Sequence, residues 1–133
     1  MLGFYPETVI DGHVPPWEYL PFSAIQPKVG MALILSSGKL AIATGTNKPE
    51  FICMAEHPAA VTAGTIVPVI RVTPEILFKT SNSASLSSAA VGAKVTLHAS
   101  SGMQVTGTTS SGVAEIVAKS GDATGSDVYV RFS

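Results

Sequence analysis

Three short constellations hold the residue types from which a reactive site is usually made. Cys53, Glu56 and His57 lie close together, and Cys-x-x-x-His is half of a zinc site, because thiolate and imidazole are the ligands zinc prefers. No second pair stands at ligand spacing, Cys53 lies inside the apolar run 51–55, and His57 precedes Pro58 where that run ends. The group therefore reads as a buried thiol beside a loop histidine, with no metal and no other cofactor. Ser37-Gly38-Lys39 has the look of a phosphate-loop ending, yet Leu33 stands where the first glycine belongs and Leu40 where Ser or Thr belongs, so a turn accounts for it. Asp11 near His13 and Glu56 beside His57 are the remaining acid–histidine neighbours, His98 has none, and no G-x-S-x-G elbow occurs. Without a nucleophile, base and orienting group in one pattern, the sequence is not expected to be an enzyme.

The elements that would position these residues are strands. Charged residues make up 13% of the chain and hydrophobic ones 46%, a balance that with abundant Ser, Thr and Gly fits many short strands joined by small-residue turns. Residues 29–44 contain two apolar runs, 31–35 and 40–43, hinged on Ser36-Ser37-Gly38-Lys39, which is a hairpin pattern. A second copy lies at 91–106, again opening on Val-Gly and turning at Ser101-Gly102. Further strands are expected at 51–55, at 66–72 with Pro68 favouring an edge or a bulge, as a short strand near 76–78, at 113–119 and at 127–132. In the last, Val128, Val130 and Phe132 alternate with Asp127, Tyr129 and Arg131, as in a half-buried strand. The expected fold is all-β: a compact small barrel or sandwich built from two related hairpin-containing halves, 28–80 and 91–133, joined by a Ser/Ala-rich loop.

Residues 1–27 differ from this body 28–133. They carry five prolines, at Pro6, Pro15, Pro16, Pro21 and Pro27, and the aromatics Phe4, Tyr5, Trp17, Tyr19 and Phe22, without strand or helix periodicity. Dense proline removes amide donors and favours extended backbone, so the segment reads as an extended arm. Its rings either cover the chain's own body or anchor it to another surface, a task suited to Trp and Tyr because each buries a large area with few torsions to freeze.

Several partner classes are excluded by composition. A formal net charge of −1 with no basic cluster lacks the footprint of a nucleic-acid binder. No apolar run approaches a membrane span, and residues 1–12 lack the basic and apolar regions of a cleaved signal. The single cysteine, Cys53, cannot form an internal disulfide.

The strings Pro27-Lys28-Val29-Gly30-Met31-Ala32-Leu33, Ser37-Gly38-Lys39-Leu40, Gly45-Thr46-Asn47-Lys48-Pro49, Ile52-Cys53-Met54-Ala55-Glu56 and Gly64-Thr65-Ile66-Val67-Pro68-Val69-Ile70-Arg71-Val72 follow one another in this order. Val91-Gly92-Ala93-Lys94-Val95-Thr96-Leu97-His98, Ser111-Gly112-Val113-Ala114-Glu115-Ile116-Val117 and Val128-Tyr129-Val130-Arg131-Phe132 continue the series. Together they resemble the small head decoration, or cement, proteins of tailed bacteriophages over residues 19–132, in order and spacing and without any catalytic signature. The resemblance implies a structural virion protein made in the host cytoplasm and carried on the outer surface of the capsid. There it would bind the major capsid protein, stabilise contacts between capsomers and associate with itself, commonly as trimers. Phe4, Tyr5, Trp17, Tyr19 and Phe22 are the candidate anchors. A tail or baseplate protein and a carbohydrate-binding module are the alternative readings.

Overall fold

The computed structural model describes residues 2–10, 12 and 15–132. Among them are ten strands and no helix: β1 Tyr5–Val9, β2 Trp17–Pro21, β3 Ala32–Ser36, β4 Lys39–Ile42, β5 Phe51–Cys53, β6 Ile66–Arg71, β7 Ile76–Ser81, β8 Lys94–Val95, β9 Ala114–Lys119 and β10 Asp127–Phe132. They form two five-stranded antiparallel sheets, A in the order β1-β7-β10-β9-β8 and B in the order β2-β6-β5-β3-β4. Neither sheet closes into a barrel. Their facing sides share one core.

Strand alternation explains sheet A. In β10 the side chains of Val128, Val130 and Phe132 are buried while Asp127, Tyr129 and Arg131 are not, because successive side chains point to opposite faces. Phe132 meets Phe4 edge-on at 5.2 Å between ring centroids and Phe78 at 5.6 Å. On the outer face Arg131 lies opposite Glu115 and forms a 3.4 Å ion pair with it.

Sheet B obeys the same rule with a different outcome, since both of its faces are covered. Ala32, Ile52 and Ile70 enter the core shared with sheet A, while Leu33, Leu40, Phe51, Cys53, Val67 and Val69 enter a second core with Phe22, Met31 and Met103. Burial on both sides is why its strands read as continuous apolar runs with little alternation. The sheet also curls: after β2 the chain returns to β4, with a single bridge from Phe22 to Leu40 and Ser23 N–H donating to Leu40 O at 2.9 Å.

The hairpin expected at 29–44 is β3–β4, with positive φ at Ser37 (50°) and Gly38 (78°) between the paired Ser36 and Lys39; two such residues give the turn the twist a hairpin needs. The reversal at 91–106 is also formed, by the Leu97–Val105 bridge and the His98 N–H to Gln104 O bond of 2.9 Å, but its first stretch, β8, pairs with β9. The pairing order β3-β5-β6 recurs as β8-β9-β10. β7, which sequence places at the end of the first half, pairs with β1 and β10 of sheet A.

Two expectations change. Pro68 does not lie at a sheet edge or in a bulge: β6 is interior, between β2 and β5. Met54 N–H donates to Pro68 O at 3.0 Å, so the side of Pro68 that lacks a donor faces the chain just past the end of β5, where the ladder runs out on this bond. The stretch read as an arm is extended, and two parts of it are edge strands of the body, β1 against β7 and β2 against β6. Edge positions tolerate proline, which is how Pro6 and Pro21 sit inside strands.

The Ser/Ala-rich loop is held down. Leu86 and Ala89 are buried, Asn82 Nδ2 donates to the carbonyls of Ala84 (2.7 Å) and Ala123 (3.0 Å), and Lys119 Nζ donates to Ala89 O at 2.9 Å and pairs with Asp122 at 2.6 Å.

Gly30 joins the N-terminal segment to sheet B: its N–H donates to Cys53 O and its carbonyl accepts from Phe4 N–H, both at 2.8 Å. With φ at +86° and a Cβ position 2.8 Å from Gly3 Cα, it has no room for a side chain. Gly30→Ala is expected to destabilise the fold by roughly 2 kcal/mol or more. Gly38→Ala, at a tip with open space around it, should cost only the left-handed penalty of about 1–2 kcal/mol. Urea melts of the two variants beside the wild type measure the difference.

Candidate interaction surface

Among the described residues, those with chemical potential do not converge. Cys53 lies on β5, buried in the second core, with its Sγ–H directed to Ala55 O at 3.1 Å. Burial pushes its thiol pKa up, partly offset by backbone hydrogen bonds, which is the reverse of what a nucleophile or metal ligand needs. Glu56 is exposed and His57 lies on the loop beyond β5, its N–H bonded to Pro27 O at 3.1 Å. Ser37 and Gly38 form the exposed hairpin tip. Asp11 and His13 lie outside the described residues. Among the described residues no group of three or more His, Cys, Asp or Glu side chains is arranged to hold a metal ion.

What does converge is apolar surface on β2 and β6. Trp17 is 52% exposed, Tyr19 63% and Ile66 55%. Tyr19 lies opposite Pro68, Pro21 opposite Ile66 and Trp17 opposite Ile70, so period two places all six on one face of sheet B. Farther into the sheet this face is roofed by sheet A, and Ile70 belongs to the shared core. At the β2 edge the roof ends.

At that rim lies a cleft of about 250 Å³, lined by Pro6 and Val9 of β1, by Pro15 and Trp17, and by Met54 and Ile70. Small-molecule sites usually run from ~300 Å³ upward, so this one is scaled to a side chain. The opposite face of β2 is polar at one point: Arg71 holds Glu18 with two hydrogen bonds of 3.0 and 3.1 Å while its guanidinium lies 4.8 Å from the Phe51 ring centroid.

The five candidate anchors separate here. Trp17 and Tyr19 are exposed together on β2. Tyr5 is half-buried on β1 opposite Lys79. Phe4 and Phe22 have no exposed surface at all, and this corrects their assignment as partner anchors: Phe4 is packed on Phe132 in the shared core, and Phe22 fills the second. Sequence reasoning missed Ile66 and Pro68 as the neighbours that complete the patch. Their signal was the β-branched run 66–72, but pairing with β2 is a long-range contact that no local pattern announces.

Fold and surface together define an all-β body with closed cores and an aromatic edge. No protein-family model matches the chain, and no curated protein matches it in sequence.

The thiol offers a test of the inner structure. Because the folded thiol holds its proton more tightly than the unfolded one, the fold should lose stability as pH rises above the ordinary thiol range, about 8.5. At pH 8 the native protein should react with a thiol reagent only at its unfolding rate, and the urea-unfolded protein at once. Fast, complete labelling of native protein would contradict the buried position.

Proposed function

We propose that this chain is a structural virion component of a tailed bacteriophage, a head decoration protein that binds the outer surface of the mature capsid and stabilises contacts between major capsid protein capsomers. The ordered series of strings from residue 27 to residue 132 supports the family. The observation that carries the mode of action is the exposed Trp17–Tyr19–Ile66 face beside a side-chain-sized cleft. Large rings held on a strand make strong anchors, because little torsional freedom remains to be lost on binding.

The action is physical. A protein that binds the expanded shell and not its precursor stabilises the expanded state by mass action, by about 2.7 kcal/mol per site at a hundredfold excess over Kd. Repetition over a lattice makes many modest contacts act together. Neither a cofactor nor a catalytic step enters. The protein is made in the host cytoplasm and ends on the virion exterior, in contact with the major capsid protein and with neighbouring copies of itself.

The test uses undecorated expanded heads and the full chain. The wild type is expected to saturate the heads, and a Trp17→Ala, Tyr19→Ala variant to bind at least about tenfold more weakly. Wild-type occupancy by the variant would remove these rings from the interface. Failure of the wild type to bind, with labelling of tails or baseplates in electron micrographs, would place the protein elsewhere in the virion. The same two rings would serve a carbohydrate-binding module as stacking platforms, and glycan-array binding without shell binding would replace the proposal with that reading.

A further inference from the structure

The face of β2 carries exposed rings, and its edge carries something separate: main-chain groups with an open register. The bonds from Met54 N–H to Pro68 O and from Val72 N–H to Glu50 O show that Pro68, Ile70 and Val72 turn their peptide groups toward β5. In an antiparallel ladder such residues form non-hydrogen-bonded pairs with the strand on their other side. Tyr19 is opposite Pro68 and Trp17 opposite Ile70, so the N–H and C=O of Trp17 and Tyr19 point away from β6, off the edge of sheet B. Glu18 and Leu20 bond inward.

Natural edge strands are guarded by charge, bulges or proline. Of the three outward-bonding positions of β2, the first two hold Trp17 and Tyr19, and only the last holds proline, Pro21, where Phe22 meets Leu40 and closes that part of the edge. The open segment is therefore 17–19.

We infer that this segment pairs with the same segment of a second copy of the chain, antiparallel and two-fold, centred on Glu18. The register is self-complementary. Trp17 N–H of each copy reaches Tyr19 C=O of the other and Tyr19 N–H reaches Trp17 C=O, four bonds that use every donor the segment offers. A register centred on Tyr19 would set Trp17 against Pro21, which has no N–H, and would run into the end closed by β4. On the exposed face Trp17 of each copy stacks across from Tyr19 of the other, the kind of cross-strand aromatic pair that adds stability. On the opposite face the two Glu18 side chains meet, each already held by its own Arg71, so the row Arg–Glu–Glu–Arg is neutral overall.

Area sets the strength. With whole aromatic side chains burying about 150–250 Å², the half-exposed rings of two copies bring on the order of 500 Å² together, below the ~1,200 Å² at which stable interfaces begin. The free protein is a weak, concentration-dependent dimer, and crowding of copies on any surface would favour the pair. A self-complementary edge closes as a two-fold, which distinguishes it from the three-fold arrangement implied by the resemblance to cement proteins.

Sedimentation equilibrium of the full chain from about 1 µM to 1 mM, without heads, tests this apart from shell binding. A monomer–dimer equilibrium is expected. Tyr19→Ala keeps the N–H and should weaken it about tenfold, and Tyr19→Pro, which removes an outward N–H and no internal bond, by a further tenfold or more. Hydrogen exchange on the wild type needs no variant: the amides of Trp17 and Tyr19 should slow as concentration rises. A monomer throughout, a trimer, equal effects of the two substitutions in folded proteins, or exchange independent of concentration would overturn the pairing while leaving the proposal of shell binding to its own test.

Discussion

Sheet B is buried on both faces, and much of the architecture answers that constraint. One face is met by sheet A. The other has no sheet to meet it, so it is covered by pieces of loop: Phe22 from the chain after β2, Met31 from the turn before β3, and Met103 from the turn at 99–103. The backbone of that last turn is tied in on three sides. Gly102 O accepts from Ala32 N–H at 2.9 Å, while Met103 O accepts from Gly3 N–H at 2.8 Å and from the buried Thr80 hydroxyl at 3.1 Å. One short turn thereby links the N-terminal segment, sheet B and β7 of sheet A. Gly102 makes this possible, since a Cβ there would stand 2.7 Å from Ala43 O, a distance at which one of the two backbones must move.

The same constraint sorts the aromatics. A small sandwich with two cores needs large side chains to fill them, and rings contribute volume with few torsions to freeze. Phe4, Phe78 and Phe132 serve the shared core; Phe22 and Phe51 serve the second. Trp17 and Tyr19 are left over because β2 is an edge strand whose upper face extends past the roof formed by sheet A. Their exposure follows from where sheet A stops, and from the inward turn of Leu20 between them and Phe22.

Much of this was legible in residue order. Period-two alternation at 127–132, the apolar runs at 40–43, 51–55 and 66–72, and the Ser-Gly turn at 37–38 located strands to within two or three residues, because side-chain direction in a strand is a local property. The class of the fold followed from those runs and from the small-residue composition. The burial of Cys53 was legible too, since a thiol inside an apolar run is covered by whatever packs on that run.

The partition of aromatics was not legible. Phe4 and Phe22 looked no different from Trp17 and Tyr19 in a proline-rich stretch, and only the position of β1 and β2 at the edges of two facing sheets separates a ring with no exposed surface from one more than half exposed. Pro68 is a similar case: proline by itself argues for an edge, and only the short length of β5 leaves an interior position with no donor to miss. Sequence by itself determined where the chain runs extended, because that depends on neighbours a few residues away. Tertiary structure alone decided which extended face is covered and which is open, because burial depends on the element packed opposite, and here those elements come from distant parts of the chain.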